Sequence, residues 1–193
     1  IDTVLSNIGL SELNELQQET LTKSETERNL MILSQTGSGK TFAFLLPLLL
    51  KLDSNSKEIQ AVIVAPSREL AIQIEGVFRA MKTNFKVLTC YGGHSMSVEK
   101  KSLKEAPALL IGTPGRICDH ISRGTIDLSM VEQFVVDEYD KCLEFGFDDQ
   151  MSYINEEFRC IEKLTLVSAT EHKEFPNYLS FDHPAVINQL HLS

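Results

Sequence analysis

Residues 30–41 read LMILSQTGSGKT and decide the fold. The apolar run 30–34 is continuous rather than alternating, which is typical of a strand buried on both faces of a parallel sheet. Gly37 and Gly39 then interrupt the apolar pattern and permit a tight turn. The apolar segment 42–51 follows at once and predicts a helix. The sequence here predicts a strand, a glycine-rich turn and a helix in immediate succession.

The same alternation continues along the chain. Short apolar runs that end at Gly, Pro, Ser or Asp alternate with longer polar stretches. This pattern predicts a doubly wound α/β domain with a mostly parallel sheet of about seven strands and helices on both faces. The Ser- and Asn-rich segment 53–58 is predicted to be a surface loop. The other predicted strands are 61–65, 86–91, 108–112, 134–137, 164–168 and 185–188. The other predicted helices are 68–81, 116–122 and 147–158.

Length and composition indicate one globular domain spanning residues 1–193. The apolar run 42–50 contains Pro47 and is about half as long as a bilayer-spanning helix, so we expect no membrane span. No secretory leader stands at Ile1, which favours a cytoplasmic protein, and an isoleucine start suggests excision from a longer chain. The cysteines and histidines are not spaced in the way that zinc ligands are, so we expect reduced thiols and no zinc site.

The charge balance restricts how the chain could bind nucleic acid. Eighteen basic and 27 acidic residues give a net charge of −9. A domain that grips nucleic acid by bulk electrostatics is usually basic. Any nucleic-acid contact is therefore expected to be local, through backbone amides, helix N-termini and a few arginines.

Residues 34–41 have the spacing of a Walker A loop, with Ser34 where a first glycine is usual. Glycines let backbone amides surround a phosphate, Lys40 neutralises it and the Thr41 hydroxyl can bind Mg²⁺. The alternative is a plain glycine-rich turn, but the strand before, the helix after and the Lys-Thr pair favour the phosphate site. The residues predicted to bind nucleotide in this loop are Thr36, Gly37, Ser38, Gly39, Lys40 and Thr41.

Asp137 and Glu138 are the carboxylates that such a loop requires. They follow an apolar strand, at the end where open α/β sheets hold ligands. Asp137 is expected to hold Mg²⁺. Glu138 is expected to orient and deprotonate the water that attacks the phosphate, and Lys40 to neutralise that phosphate. Alone, an Asp-Glu pair after a strand is usually a solvated turn. About 100 residues after a Walker A loop, the pair favours a catalytic role.

Seven short motifs occur in order along nearly the whole chain: SQTGSGKT (34–41), APSRELA (65–71), GG (92–93), TPGR (113–116), DEYD (137–140), FGF (145–147) and SAT (168–170). Together they resemble the first RecA-like domain of a DEAD-box ATP-dependent RNA helicase of superfamily 2. The resemblance implies a RecA-like fold with ATP and Mg²⁺ as cofactors. It also implies RNA as a partner and a second RecA-like domain of the same polypeptide that completes the active site.

The resemblance assigns one group of residues to the sugar-phosphate backbone of a single RNA strand. Glycines and helix starts offer amides to phosphates without reading base edges, so binding is expected to be independent of sequence. Without the other motifs, each of these segments would be interpreted as a helix cap or a strand-to-helix turn. The residues are Pro66, Arg68, Gly92, Gly93, Thr113, Pro114, Gly115 and Arg116.

The same resemblance implies a link between the nucleotide site and unwinding. The hydroxyls of Ser168 and Thr170 are expected to hydrogen-bond the carboxylate of Asp140. Tyr139 departs from the family by replacing an alanine. Because Asp137, Glu138 and Asp140 remain, we expect hydrolysis to be retained, whereas the bulky ring, whose hydroxyl requires a partner, is expected to alter local packing.

Residues 9–17 align with the family segment that recognises adenine, and Gln17 takes the place of its glutamine. An amide can donate to one edge nitrogen of adenine and accept from its amino group, which would select ATP over GTP. Leu10, Leu13 and Asn14 depart from the aromatic residue, the proline and the threonine of the family pattern.

The sequence therefore predicts the ATP-binding and hydrolysing domain of an ATP-dependent RNA helicase, a monomer that remodels RNA duplexes or RNA–protein complexes. Two alternatives stay open: a nucleotide-gated RNA-binding scaffold without productive turnover, and a DNA translocase of the same superfamily. RNA-stimulated phosphate release distinguishes the helicase from the scaffold. Equal stimulation by single-stranded DNA and RNA indicates the translocase.

Overall fold

A computed structural model of the protein describes residues 1–190. The strands are β1 (Asn29–Leu33), β2 (Ala61–Val64), β3 (Val87–Cys90), β4 (Leu109–Gly112), β5 (Gln133–Val136), β6 (Lys163–Ser168) and β7 (Ala185–Asn188). They form one sheet in the order β3-β4-β2-β5-β6-β1-β7. Every pair of neighbouring strands is parallel. The predicted seven-stranded, doubly wound α/β fold is confirmed, with all pairings in the described chain parallel rather than most of them.

The helices are α1 (Asp2–Asn7), α2 (Glu15–Thr26), α3 (Lys40–Leu50), α4 (Arg68–Ala80), α5 (Met96–Ser102), α6 (Pro114–Ser122), α7 (Tyr139–Glu144) and α8 (Asp148–Glu156). The four predicted helices correspond to α3, α4, α6 and α8. Helix α2 was not predicted, although Asn14 and Gln17 form a capping box that marks its start. The segment 53–58 lies outside the helices and strands, as predicted.

Alternation along each strand divides the core between the two faces of the sheet. In β1, Ile32 packs on one face with apolar residues of α1 to α4. Met31 and Leu33 pack on the other face with residues of α6 to α8. Both faces are thus covered by helices, which explains why the strands are continuously apolar in sequence. Within the described chain, no helix combines the length and apolarity needed to cross a bilayer.

Candidate nucleotide site and nucleic-acid interface

The strand order divides the carboxyl edge of the sheet into two halves. Strands β5, β6 and β1 are neighbours, and the Walker A loop follows β1 while Asp137 follows β5. Strands β3, β4 and β2 are also neighbours, and the three segments predicted to contact RNA follow these strands. Carboxyl ends of parallel strands are where open α/β sheets hold ligands. The predicted nucleotide residues and the predicted RNA residues are therefore gathered on adjacent halves of one edge.

The Walker A loop has the backbone geometry of a phosphate cradle. Gly37 has φ +87° and Gly39 has φ +82°, a region that side chains of L-residues disfavour. Lys40 is the first residue of α3, so the amides at that helix start are available to an anion. The Ser34 hydroxyl, at the position of the usual glycine, hydrogen-bonds the Ser38 hydroxyl and ties the loop to the end of β1. The loop fits the phosphate site predicted from its spacing.

Gln17 packs against the Walker A loop and is 4% exposed. Its Oε1 accepts a hydrogen bond from the Asn14 amide over 3.0 Å, and its Nε2 lies 3.4 Å from the Gly39 carbonyl. Asn14 Nδ2 donates to the Ser38 carbonyl over 3.1 Å. A Cβ on Gly39 would come within 2.8 Å of Gln17 Nε2 and would displace this amide, and the positive φ of Gly39 also favours glycine. Gln17 thus supports the loop, a role that the sequence interpretation missed, and its role toward adenine stays a prediction.

Asp137 is fully buried at the end of β5. Its Oδ1 accepts a hydrogen bond from the Glu138 amide over 2.8 Å. Its Oδ2 is buried and has no hydrogen-bond partner within residues 1–190. Burial raises the pKa of Asp137 to about 6, and the Lys40 charge opposes that shift. An unpaired buried carboxylate oxygen beside a phosphate loop suits a divalent cation, so the residues present fit Mg²⁺.

Glu138 adopts φ +46° and ψ +50°, a left-handed conformation that is uncommon for residues other than glycine. It is the N-cap residue of α7, and it directly follows the buried Asp137. Strained backbone is retained where function requires a fixed geometry. The strain fixes the path of the chain at the residue predicted to orient the attacking water.

Tyr139 is fully buried, and its hydroxyl has no hydrogen-bond partner within the described residues. Burial raises the pKa of this hydroxyl to about 12. Its ring packs edge-on against His172, with ring centroids 5.1 Å apart and planes at 73°. Phe175 lies on the ring as well, with centroids 6.2 Å apart. Tyr139, at the position of the family alanine, therefore makes aromatic contacts next to the turn that holds Asp137 and Glu138.

The hydroxyls of Ser168 and Thr170 do not hydrogen-bond Asp140 within residues 1–190, contrary to the partner that the resemblance implied. Ser168 Oγ lies 3.2 Å from His172 Nε2 and 3.5 Å from Thr170 Oγ1. Thr170 Oγ1 is likewise 3.2 Å from His172 Nε2. In this structure both hydroxyls face the imidazole of His172 instead of Asp140. The coupling role of Ser168, Thr170 and Asp140 stays a prediction.

On the other half of the edge, Arg68 lies over the glycine pair. A Cβ on Gly93 would stand 3.4 Å from Arg68 Nη1, although β2 and β3 are separated in the sheet by β4. The Arg68 side chain is 55% exposed, and within residues 1–190 it forms an ion pair only with its neighbour Glu69, at 3.4 Å. Gly92, Gly93 and Gly115 are exposed. These four residues are accessible to a ligand, whereas Pro66 and Pro114, which were also predicted to contact RNA, are buried.

Arg116 is held differently from Arg68, because it pairs with the buried carboxylate of Glu99. Glu99 Oε2 accepts from Arg116 Nε over 2.9 Å and lies 2.6 Å from His120 Nε2. Glu99 Oε1 accepts from the Tyr91 amide over 3.2 Å and lies 3.0 Å from His94 Nδ1. The Arg116 guanidinium also donates to the His94 carbonyl. Arg116 therefore braces the loops after β3 and β4, and its side chain is only 12% exposed.

The pKa of Glu99 reflects this arrangement. Burial alone would raise the pKa, but hydrogen bonds from His120, His94 and Arg116 outweigh burial and lower it. The carboxylate is therefore kept ionised in the interior. The sequence interpretation missed Glu99, which carries no local signal beyond its place on the short helix α5.

Ligand atoms of Cys90, Glu99 and His120 lie within 4.8 Å of one another. Both oxygens of Glu99 already face N–H groups, including those of the Arg116 cation. Burial also raises the pKa of the Cys90 thiol, which favours the neutral form, whereas metals bind the thiolate. The cluster is explained by hydrogen bonding that supports the two loops.

The family profile and the similar proteins that match this chain all belong to one group of helicases. The sequence profile of the family described as DEAD/DEAH box helicase matches residues 14–177. The ATP-dependent RNA helicase CshA of Listeria monocytogenes is 40% identical over 168 residues, which are 86% of this chain and 32% of that protein. The ATP-dependent RNA helicase DeaD of Haemophilus influenzae is 37% identical over 169 residues, 86% of this chain and 28% of that protein.

Solved structures agree with the fold. A DEAD box protein from the hyperthermophile Methanococcus jannaschii superposes with a TM-score of 0.85 at 34% identity, covering 96% of this chain and 52% of that one. A hypothetical ATP-dependent RNA helicase from Sulfolobus tokodaii gives a TM-score of 0.85 at 28% identity, covering 97% of this chain and 56% of that one. The chain thus spans about a third of the length of the curated relatives it matches.

Proposed function

This chain belongs to the DEAD/DEAH box helicase family, and from that membership we propose that it binds and hydrolyses ATP within an ATP-dependent RNA helicase. We propose that residues 1–193 form a single RecA-like domain. Its proposed substrate is an RNA duplex or an RNA–protein complex, in which the domain contacts the sugar-phosphate backbone of one RNA strand.

One observation carries the proposal: the two adjacent halves of the carboxyl edge. The half at β1 and β5 offers the Walker A loop and the buried carboxylate of Asp137, whose Oδ2 has no hydrogen-bond partner within residues 1–190. The half at β2, β3 and β4 offers exposed glycines and the exposed Arg68. One surface suits a polyphosphate with its cation, and the other suits a sugar-phosphate backbone.

The chemistry of the first half follows from its residues. Lys40 and the loop amides would hold the phosphates and oppose the charge that develops on them. Thr41 and Asp137 would hold Mg²⁺, which when bound neutralises phosphate charge. Glu138 would orient the attacking water and accept its proton. Little covalent chemistry is demanded of the protein, because phosphoryl transfer depends on positioning and electrostatic stabilisation.

A second RecA-like domain is proposed to complete the site. The relatives are about three times as long as the matched region, which leaves room for such a domain in them. Positive charge from a facing arginine contributes on the order of 10³ to 10⁵ in rate in related phosphoryl-transfer enzymes. We therefore expect residues 1–193 alone to bind nucleotide but to show little RNA-stimulated hydrolysis and no unwinding. We also propose a monomer that acts in the cytoplasm.

The proposed function is tested by measuring nucleotide binding and then ATP turnover. Calorimetry with Mg-ADP compares the wild type with Lys40→Ala and with Lys51→Ala, an exposed lysine at the other end of the same helix. We expect only Lys40→Ala to lose nucleotide affinity, by 10-fold or more. Unchanged affinity in Lys40→Ala would show that the Walker A assignment is wrong.

Turnover separates the candidate functions. Phosphate release by the full-length protein is measured with single-stranded RNA and with DNA of the same sequence. We expect stimulation by RNA alone. Nucleotide-dependent RNA binding without phosphate release would instead indicate the scaffold, and equal stimulation by DNA would indicate the translocase.

A further inference from the structure

His172 contacts two parts of the nucleotide half of the edge at once. Its Nε2 lies 3.2 Å from the hydroxyls of both Ser168 and Thr170, the residues that end and follow β6. Its ring meets the Tyr139 ring edge-on at 5.1 Å, in the turn that follows β5. Edge-to-face geometry is one of the favoured arrangements of aromatic rings. A single half-buried side chain therefore joins the ends of two neighbouring strands.

Tyr139 makes this contact possible. It directly follows Glu138, and its ring is fully buried among residues of the core. An alanine at this position would end at Cβ and leave the space of the ring empty. The Tyr139 hydroxyl has no partner within residues 1–190, so the ring packing rather than the hydroxyl joins the two segments.

We propose that Tyr139 and His172 link the turn after β5 to the end of β6, with His172 as a positioning residue for Ser168 and Thr170. Through these two hydroxyls, to which the family resemblance gives a coupling role, the link would couple nucleotide binding to RNA binding. A shift of the turn bearing Asp137 and Glu138 moves the Tyr139 ring, which moves the imidazole and the two hydroxyls bound to it. This link replaces the hydrogen bond to Asp140 that the family resemblance implied. The inference rests on the proposed function, because coupling requires both ligands to bind.

The first arm of the test measures the contact without any ligand. Urea unfolding is followed for the wild type, Tyr139→Ala, His172→Ala and the double variant. We expect the double variant to lose less stability than the sum of the single losses, because the contact is removed only once. Additive losses would overturn the contact. Lys173→Ala, an exposed neighbour of His172, is the control and should add its effect independently.

The second arm measures coupling in the full-length protein. The RNA dissociation constant is determined with and without a non-hydrolysable Mg-ATP analogue, and the ratio of the two constants is the coupling. We expect His172→Ala and His172→Phe to reduce this ratio at least fivefold while nucleotide affinity alone changes less than twofold. His172→Phe retains a ring against Tyr139 but lacks Nε2, so a folded protein with lost coupling separates positioning from stability. Tyr139→Phe retains the ring and should keep the wild-type ratio.

Besides additive unfolding losses, two results would overturn the link. One is a wild-type ratio in both His172→Ala and His172→Phe. The other is a wild type that binds nucleotide and RNA without either affecting the other, which would leave the proposed function intact. A wild type that binds neither ligand would overturn the proposed function itself, and the unfolding arm would still report on the contact.

Discussion

Arg116 donates a hydrogen bond from Nε to Oε2 of Glu99 over 2.9 Å, and the Glu99 side chain is completely buried. The family resemblance assigns Arg116 to RNA, whereas this pairing gives it a structural role. Removing one partner of a buried ion pair leaves the other charge uncompensated.

Arg116→Ala is expected to lower the free energy of unfolding by roughly 3–5 kcal/mol, because the Glu99 carboxylate would be left buried without its cation. Urea unfolding at pH 7 measures the loss. Lys141→Ala is the control, since its pair with Glu144 is exposed on both sides and should contribute little to stability. Equal losses in the two variants would contradict the buried role of Arg116.

Arg68→Ala is expected to weaken RNA binding without lowering stability, because the Arg68 side chain is 55% exposed beside Gly93. The slope of log K against log salt should become shallower by about 0.7, the value for one contact to a single-stranded phosphate. Arg79→Ala is the control, as Arg79 is also exposed and lies at the other end of α4. A wild-type slope in Arg68→Ala would remove Arg68 from the RNA contacts.

Asp137→Asn is expected to stabilise the protein without nucleotide or metal at pH 7.5 by roughly 2–3 kcal/mol. Burial raises the pKa of Asp137 to about 6. The folded state then binds more protons than the unfolded state between about pH 4 and 6. Its stability falls as pH rises through that window and stays lower above it.

The measurement is the difference in unfolding free energy between wild type and Asp137→Asn across pH 4 to 8. This difference should grow toward pH 7 and then level off. Asp182→Asn, at an exposed aspartate, is the control variant. A constant difference for Asp137→Asn would show that its carboxyl does not have a raised pKa.

Glu138→Gln is expected to keep ATP and RNA binding while lowering single-turnover hydrolysis in the full-length protein by about 10² to 10⁴. The substitution removes the proton acceptor and leaves Asp137 in place. Single-turnover assays with saturating RNA measure the effect, with Glu144→Gln on the exposed end of α7 as control. Equal rates for wild type and Glu138→Gln would exclude Glu138 as the catalytic base.

Gln17→Ala is expected to reduce the preference for ADP over GDP more than it reduces phosphate affinity, since the amide addresses the base edge. It should also lower stability by roughly 1 kcal/mol through loss of the capping box. Calorimetry with both nucleotides measures the preference, and Gln18→Ala provides an exposed control. A wild type that binds ADP and GDP equally would exclude Gln17 as a base reader.

The fold and the nucleotide loop were predictable because their signals are local. A strand buried on both faces must be continuously apolar, and β1 and β2 are buried throughout. The loop at Gly37 and Gly39 requires positive φ, which glycine supplies. Such requirements involve residues that are adjacent in the chain, so each can be recognised from a single segment of the sequence.

Only the tertiary structure decided which polar side chains meet across segments. Glu99 reaches Arg116, and His172 reaches Tyr139, because the sheet order brings separate loops together. An arginine in a TPGR motif has the same local sequence whether it faces RNA or a buried carboxylate. The choice depends on burial and on partners distant in the chain, and these arise only when strands β3, β4, β5 and β6 take their places in the sheet.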